Sequence, residues 1–305
     1  MGQTFSAPAL QKGIMATIVR RAAETPSIYV PRLFEVVQSD GKSETHENLD
    51  DVPQVSLFEG QRKTKALTGR SHEVANEIFD GALLFDRDDL RRNRSGSYMR
   101  RIDQLINRVV GFPDKKAIEL MTDGINTTKT CYDGGAMFSD THSAMGSAAS
   151  QDNLLAGAGT TVANIQTDLQ KILTFFGTVT DQGGEPFHGS GMLNLIVSCP
   201  KAIEVNMRSA LQAAVVSNNS NVLLGVADVI PDGRLDGTDA NDWYAFVDDP
   251  TARPFILQVE KDWEDDFLGE GTELYNNQRQ VQFGVSGSYA YHYLYWQSAC
   301  KMVNT

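Results

Sequence analysis

Residues 41–76, GKSETHENLDDVPQVSLFEGQRKTKALTGRSHEVAN, carry dense charge and few large apolar side chains, and no compact domain can be built on them. Two polar strands joined near Pro53 to Gly60 are expected there. A lone two-stranded ribbon is marginal in water, and one without an apolar face cannot offset the entropy of ordering its chain. Such a hairpin either stays in solvent or packs on another subunit. Its acidic half, Glu44, Glu47, Asp50 and Asp51, precedes a basic half, Arg62, Lys63, Lys65 and Arg70.

The flanking segments have more to fold with. Leu10, Ile14 and Ile18 recur at four-residue spacing, which predicts a short amphipathic helix before Pro26 and Pro31 enforce an extended path. A segment of this kind ahead of a compact body is an arm, useful when it lies on a neighbour. IFDGALLFDRDDL (78–90) reads as a strand running into a helix start. The longest helical stretch is 95–123, with Tyr98, Ile102, Leu105, Val109 and Phe112 at helical period and a break at Gly111 and Pro113. TTKTCYDGGAMFSDTHS reads as strand, turn, strand, and GSAASQDNLLAGAG as a small-residue linker. From residue 161 helix and strand alternate: a helix through Ile165 to Phe176, a buried strand at 193–200, a helix over 201–216, then strands at 221–230, 242–248 and 253–260 and a strand-rich ending. These fit a mixed sheet with helices packed on it.

Composition narrows the function. At a net charge of −12 and 305 residues, the chain opposes a role in gripping nucleic acid, which needs a basic surface to displace phosphate counterions. Cys131, Cys199 and Cys300 are an odd, sparse set that suits a reducing compartment better than a disulfide framework. No secretory signal and no apolar run of membrane-spanning length is expected, although Gly2 with Ser6 fits the outline of a myristoylation motif.

Chemistry-bearing patterns are thin. His46, His72, His142, His188 and His292 are scattered, without a metal-binding pair. Cys131 and His142 share one expected hairpin and are the candidates for a cysteine-dependent enzyme, but neither an oxyanion loop nor a helix N-terminus accompanies them. DGRLDGTDAND (232–242) superficially looks like a calcium loop; Arg234 and Trp243 stand where oxygen ligands are needed, so it reads as a solvated turn. GVSGS (284–288) lacks the lysine of a phosphate loop. Tyr289, Tyr291, Tyr293 and Tyr295 alternate as in a half-buried strand, in preference to a base-stacking platform. No cofactor, metal or catalytic residue is expected. The residues alone describe a mixed helix-and-sheet protein with extensive subunit contacts.

Four stretches carry a resemblance. ANEIFDGALLFDRDDL (75–90), CYDGGAMFSDTHS (131–143), RPFILQ (253–258) and FGVSGSYAYHYLYWQSA (283–299) are similar, in order and spacing, to segments of the major head subunit family of Mu-like phages. Together they span about residues 30–302, and the Cys-Tyr-Asp-Gly stretch with its trailing Phe138, Asp140 and His142 is the most specific. Departures are Ser143, where the family has proline, and Ser286 to Ser288 with Tyr291-His292-Tyr293, where it carries an arginine and a Gly-Tyr-Gly run.

The resemblance implies an α+β, Hong Kong 97 (HK97)-like phage capsid fold. Residues 1–40 would be the N-terminal arm and 41–76 the extended β-hairpin loop. Residues 77–150 would be the peripheral domain with its spine helix, completed by 250–288, and 151–249 the axial domain, completed by 289–305. It implies a virion protein, assembled in the host cytoplasm as hexamers and pentamers of an icosahedral shell. Packaged double-stranded DNA would lie inside in weak, non-specific contact, with decoration, portal and scaffold proteins as further partners and no membrane. Glu44, Glu47, Asp50, Asp51, Arg62, Lys63 and Lys65 are the candidate inter-subunit contacts. A nanocompartment shell of the same fold, enclosing protein cargo, is the alternative within the class.

Overall fold

The computed structural model describes residues 7–48, 70–91, 95–142, 150–181, 184–189, 191, 193–216, 219–237 and 239–304. The chain starts in helix α1 (Ala7–Glu24), then the single turn α2 (Val30–Leu33) and strand β1 (Phe34–Gln38). The polar strands β2 (Ser43–Asn48) and β3 (Arg70–Ala75) follow, then β4 (Glu77–Asp86), α3 (Arg87–Arg91), α4 (Ser95–Val110) and α5 (Phe112–Asp123). Next come β5 (Leu154–Ala156), α6 (Val162–Thr178), β6 (Leu195–Cys199), α7 (Glu204–Gln212), the two-residue strands β7 (Val215–Val216) and β8 (Asn219–Ser220), β9 (Ala227–Pro231) and β10 (Trp243–Val247). The chain ends through β11 (Phe255–Leu268), α8 (Glu273–Asn277), β12 (Gln280–Tyr293) and β13 (Ala299–Val303).

Two sheets organise these elements. The first has order β1-β11-β12-β4, with β1 parallel to β11 and the other pairs antiparallel. The second has order β5-β13-β10-β6-β9, with parallel pairs at both margins. The chain leaves the second sheet after β10, runs out and back through β11 and β12, and returns as β13. Each of these two long strands has 14 residues, roughly 45 Å of extended chain. Register shifts at Val259/Lys261 and Lys261/Glu264 add twist to this ribbon.

Burial explains the choice of elements. All five residues of β6 (LIVSC) and of β10 (WYAFV) are buried, as interior strands covered on both faces must be. Ile165, Leu169, Ile172 and Phe176 of α6 complete that core, and Thr161 caps the helix by accepting from the Asn164 amide. A smaller core joins Ile102, Ile106 and Val109 of α4 to Phe85, Val281, Phe283 and Val285 of the first sheet. Pro113 opens α5 in the first turn, where its missing N–H costs nothing, so the break after α4 starts a new helix.

Several expectations differ from this fold. The helix expected around Leu10 to Ile18 extends to Glu24, and it lies on its own chain: Ile18 is buried against the small core, and Arg21 donates to Asp103 Oδ1 (2.8 Å) and Asn107 Oδ1 (2.7 Å) of α4. The stretch 131–142 forms turns and one bridge, His142 to Gln151, in place of two strands. Side-chain bonds satisfy its backbone instead, with Asn153 accepting from the Ser139 amide and donating to the carbonyls of Met137, Trp296 and Ala299. That same Asn153 staples the small-residue stretch to the body, and β5 next to it pairs with β13. The strand expected at 221–230 is confined to Ala227–Pro231 because Asn221 caps a turn, donating to Ala210 O and Ala213 O.

Candidate assembly surfaces

The β2–β3 ribbon has the composition problem anticipated from its sequence. Among the described residues, Val74 is its one buried apolar side chain. The remaining hold is polar and confined to the root. Asn76 donates to Gly41 O (2.7 Å) and Ser39 Oγ (3.0 Å), and the Ser39 amide donates to Val259 O (2.9 Å). Gln258 of β11, fully buried, accepts from His46 Nε2 (2.9 Å) and donates to Asn76 Oδ1 (2.8 Å). His46 stands opposite His72 in the register, with ring centroids 5.9 Å apart, and His72 lies 5.1 Å from His292 of β12. Both ring nitrogens of His72 are buried without a hydrogen-bond partner among the described residues. Burial, together with the neighbouring His46 ring, lowers the His72 pKa below the ordinary histidine value. Burial also takes His292 down to about 4, against a hydrogen bond to Tyr293 O that favours its proton.

Of the candidate contacts, Glu44 is placed on β2 and already bound within its own chain, accepting from Ser39 Oγ (3.0 Å) and the Asp40 amide (3.3 Å). Glu47 lies on β2 opposite Ser71. Asp50, Asp51, Arg62, Lys63 and Lys65 fall outside the described residues. The sequence reading gave no role to Gln258 or Asn76 and took His46, His72 and His292 as scattered; these residues meet at the ribbon root.

Other surfaces are open to a partner. Among the described residues, no strand lies beside the outer edge of β4, and Ile78 on it is 79% exposed. Next to that edge, α4 borders a cleft of about 490 Å³ with Phe79, Leu105, Phe112 and Trp263 in its wall and Arg101 and Arg108 at its rim. Val215, Val222 and Leu224 are exposed between α7 and β9. A sheet edge of this kind is a ready template for pairing with another chain.

The candidate catalytic residues are occupied in packing. The Cys131 thiol is fully buried, its sulfur 3.6 Å from Met137 Sδ, and burial with Asp133 nearby pushes its pKa well up, the reverse of what a nucleophile requires. His142 Nδ1 donates to Asp133 Oδ2 (2.7 Å), and its ring stacks on Trp296 at 4.2 Å. The acidic stretch 232–242 is not a solvated turn throughout, since Asp239 and Asp242 face inward, 3.2 and 3.3 Å from the buried Lys301 ammonium. Tyr244 OH donates to Asp239 as well, and its ring lies 5.2 Å from the same ammonium. Tyr289, Tyr291 and Tyr293 are buried, which leaves no face for stacking bases. Gly284 and Gly287 sit within β12, where side chains would meet β11 and Tyr289. Among the described residues, no histidine, cysteine and carboxylate cluster could hold a metal ion, and no helix is long and apolar enough to cross a membrane.

Comparison with known proteins adds sequence to geometry. The family model described as Mu-like prophage major head subunit gpT matches residues 8–187. The major capsid protein of Escherichia phage Mu is 28% identical over 119 residues, covering 39% of this chain and 38% of that protein, so the match spans well under half of the relative's length. A chain of the procapsid of bacteriophage JBD30 is similar in structure at a TM-score of 0.55 and 16% identity, over 98% of this chain and 77% of that one. The virus-like particle from Pyrococcus furiosus is similar at a TM-score of 0.53 and 10% identity, over 96% and 99% of the two chains. At these identities the structural likenesses establish a common fold.

Proposed function

The chain belongs to the Mu-like prophage major head subunit gpT family, and from that membership we propose that it is the major capsid protein of a tailed double-stranded-DNA phage, self-assembling into the hexamers and pentamers of an icosahedral shell. The family match carries this reading. The fold is α+β and of the HK97 type, shared with capsid subunits. In this reading residues 1–40 are the arm, 41–76 the extended loop, 77–150 with 250–288 the peripheral domain around α4, and 151–249 with 289–305 the axial domain around the second sheet. β12 then passes from one domain into the other within a single strand.

Assembly replaces chemistry as the mechanism. A heterologous contact repeated around an axis closes a ring, and rings of two sizes tile a shell. The charged loop residues, Glu44, Glu47, Asp50 and Asp51 against Arg62, Lys63 and Lys65, set the register between neighbours more than they add affinity. The net charge of −12 keeps contact with packaged DNA weak and non-specific. Portal, scaffold and decoration proteins are the further partners, and the site of assembly is the host cytoplasm. A catalytic role draws no support from Cys131, whose thiol is held protonated. A shell around protein cargo would have the same fold, and the match to head subunits favours the phage head over it.

Negative-stain electron microscopy with sedimentation of the purified chain tests the proposal. Closed particles, tubes or capsomer rings are expected. A uniform monomer or dimer at high concentration, unmoved by salt or crowding, would overturn it.

A further inference from the structure

We propose that His72 and His292, in one row with His46, form a pH-sensitive latch at the root of the β2–β3 ribbon, holding it against the first sheet when these two rings are neutral and releasing it when they take up protons. The consequence for shell assembly rests on the function proposed above; the latch itself is a property of the single chain.

Three observations place it. The rings come from three strands, β2, β3 and β12, and form a continuous row with centroid separations of 5.9 and 5.1 Å. The ribbon has little else to hold it, because Val74 is its one buried apolar side chain among the described residues. Its polar tie to β11 runs through the buried Gln258, which accepts from His46 Nε2 and donates to Asn76 Oδ1 and Val74 O beside the row. The geometry suits neutral rings: among the described residues, the two buried nitrogens of His72 have no acceptor for an added proton's N–H.

The charged groups around the row do not compensate a proton. Lys129, which donates to Tyr291 O (2.9 Å), acts on His292 as a further cation. Glu77, Asp123 and Glu119 act on Lys129, with Lys116 opposing them. On β2, Glu44 is engaged by Ser39 and the Asp40 amide; on β3, Glu73 accepts from Ser43; on β11, Glu260 accepts from Ser288. No carboxylate among the described residues hydrogen-bonds or ion-pairs with any of the three rings. Like charges on His72 and His292, 5.1 Å apart in a partly dry site, then favour separation.

The direction in pH follows. His72 and His292 are depressed in the latched state, while a released histidine titrates near about 6.5. The released state therefore binds more protons on the acid side. The latch is fully closed above about pH 6.5 and loosens as pH falls toward about 4, the depressed value of His292.

Hydrogen–deuterium exchange on the full, unassembled chain tests this, with rates corrected for intrinsic pH dependence. Amides of 43–48 and 70–75 should lose protection on the order of tenfold between about pH 7.5 and about pH 5, while β6 and β10 keep theirs. The double variant His72→Phe, His292→Phe should hold its protection across that range. Equal protection of the wild-type ribbon at both pH values would sink the latch, and so would a double variant that loosens as the wild type does. Should the variant misfold, the ring-proton titrations of wild-type His72 and His292 decide: ordinary values for both overturn the proposal, depressed values support it. Particle formation at neutral pH is scored separately, so absent shells with a pH-responsive ribbon would refute the assembly reading and leave the latch intact.

Discussion

At the scale of single residues, the buried charges are the most consequential feature. Lys301 sits in β13 beneath two carboxylates, with its side chain 3% exposed. Taking away its ammonium leaves Asp239 and Asp242 uncompensated in a dry site. Lys301→Met should cost about 3–5 kcal/mol of stability, read as a lower urea midpoint at neutral pH. Asp239→Asn combined with it should recover part of the loss, because the stranded charge goes with the lysine. The cysteines show the same economy of space. All are buried, and burial pushes Cys199 up to about 12 and Cys131 and Cys300 well above the ordinary thiol value. Thiol reagents at mildly alkaline pH should label none of them in the folded chain and all of them in denaturant. Cys131→Ala should leave assembly intact, whereas loss of an activity would revive the nucleophile. Little of this was visible in the sequence: Asp239 and Lys301 are 62 positions apart, and only the return of β13 beside β10 brings them together.

Elements were more legible where burial has a period. The long helical stretch and its break near Gly111 and Pro113 stand where the spacing put them, as α4 and α5. The buried face of α4, however, is Ile102, Ile106 and Val109, and Leu105 is turned toward the cleft. Both leucine and isoleucine satisfy the periodicity, and only the position of the sheet beneath selects between them. Ile106→Ala should cost about 2–4 kcal/mol and loosen α1 along with α4, since both lean on the same small core. Limited proteolysis after Glu24 would report it. In β12, a Cβ at Gly284 would stand 2.7 Å from Asp266 O, so Gly284→Ala should pry the distal ribbon apart and raise amide exchange at 264–268 and 282–285. The stretch 131–142 was misread as strands because Asp133-Gly134-Gly135 has the residues of a hairpin turn, yet its backbone is satisfied by Asn153 and Asp133 side chains.

For the whole molecule, the described residues of the ribbon, 43–48 and 70–75, belong to neither buried cluster. Replacing 49–69 by a short turn leaves every described residue of the two buried clusters in the chain, so the protein should keep its thermal midpoint and far-ultraviolet spectrum. It should fail to form particles by electron microscopy; shells of normal size from that deletion would refute the role given to the loop. The sequence by itself determined the order of elements, the arrested helix, the polar ribbon that cannot fold alone and the kinship of its Cys-Tyr-Asp-Gly stretch. These depend on local spacing and on residues adjacent in the chain. The tertiary structure alone decided that α1 docks on its own α4, that the acidic turn neutralises a buried lysine and that three distant histidines meet at the ribbon root. Each of these joins residues from separate strands or helices, and no pattern along one segment encodes which partner the fold will bring to it.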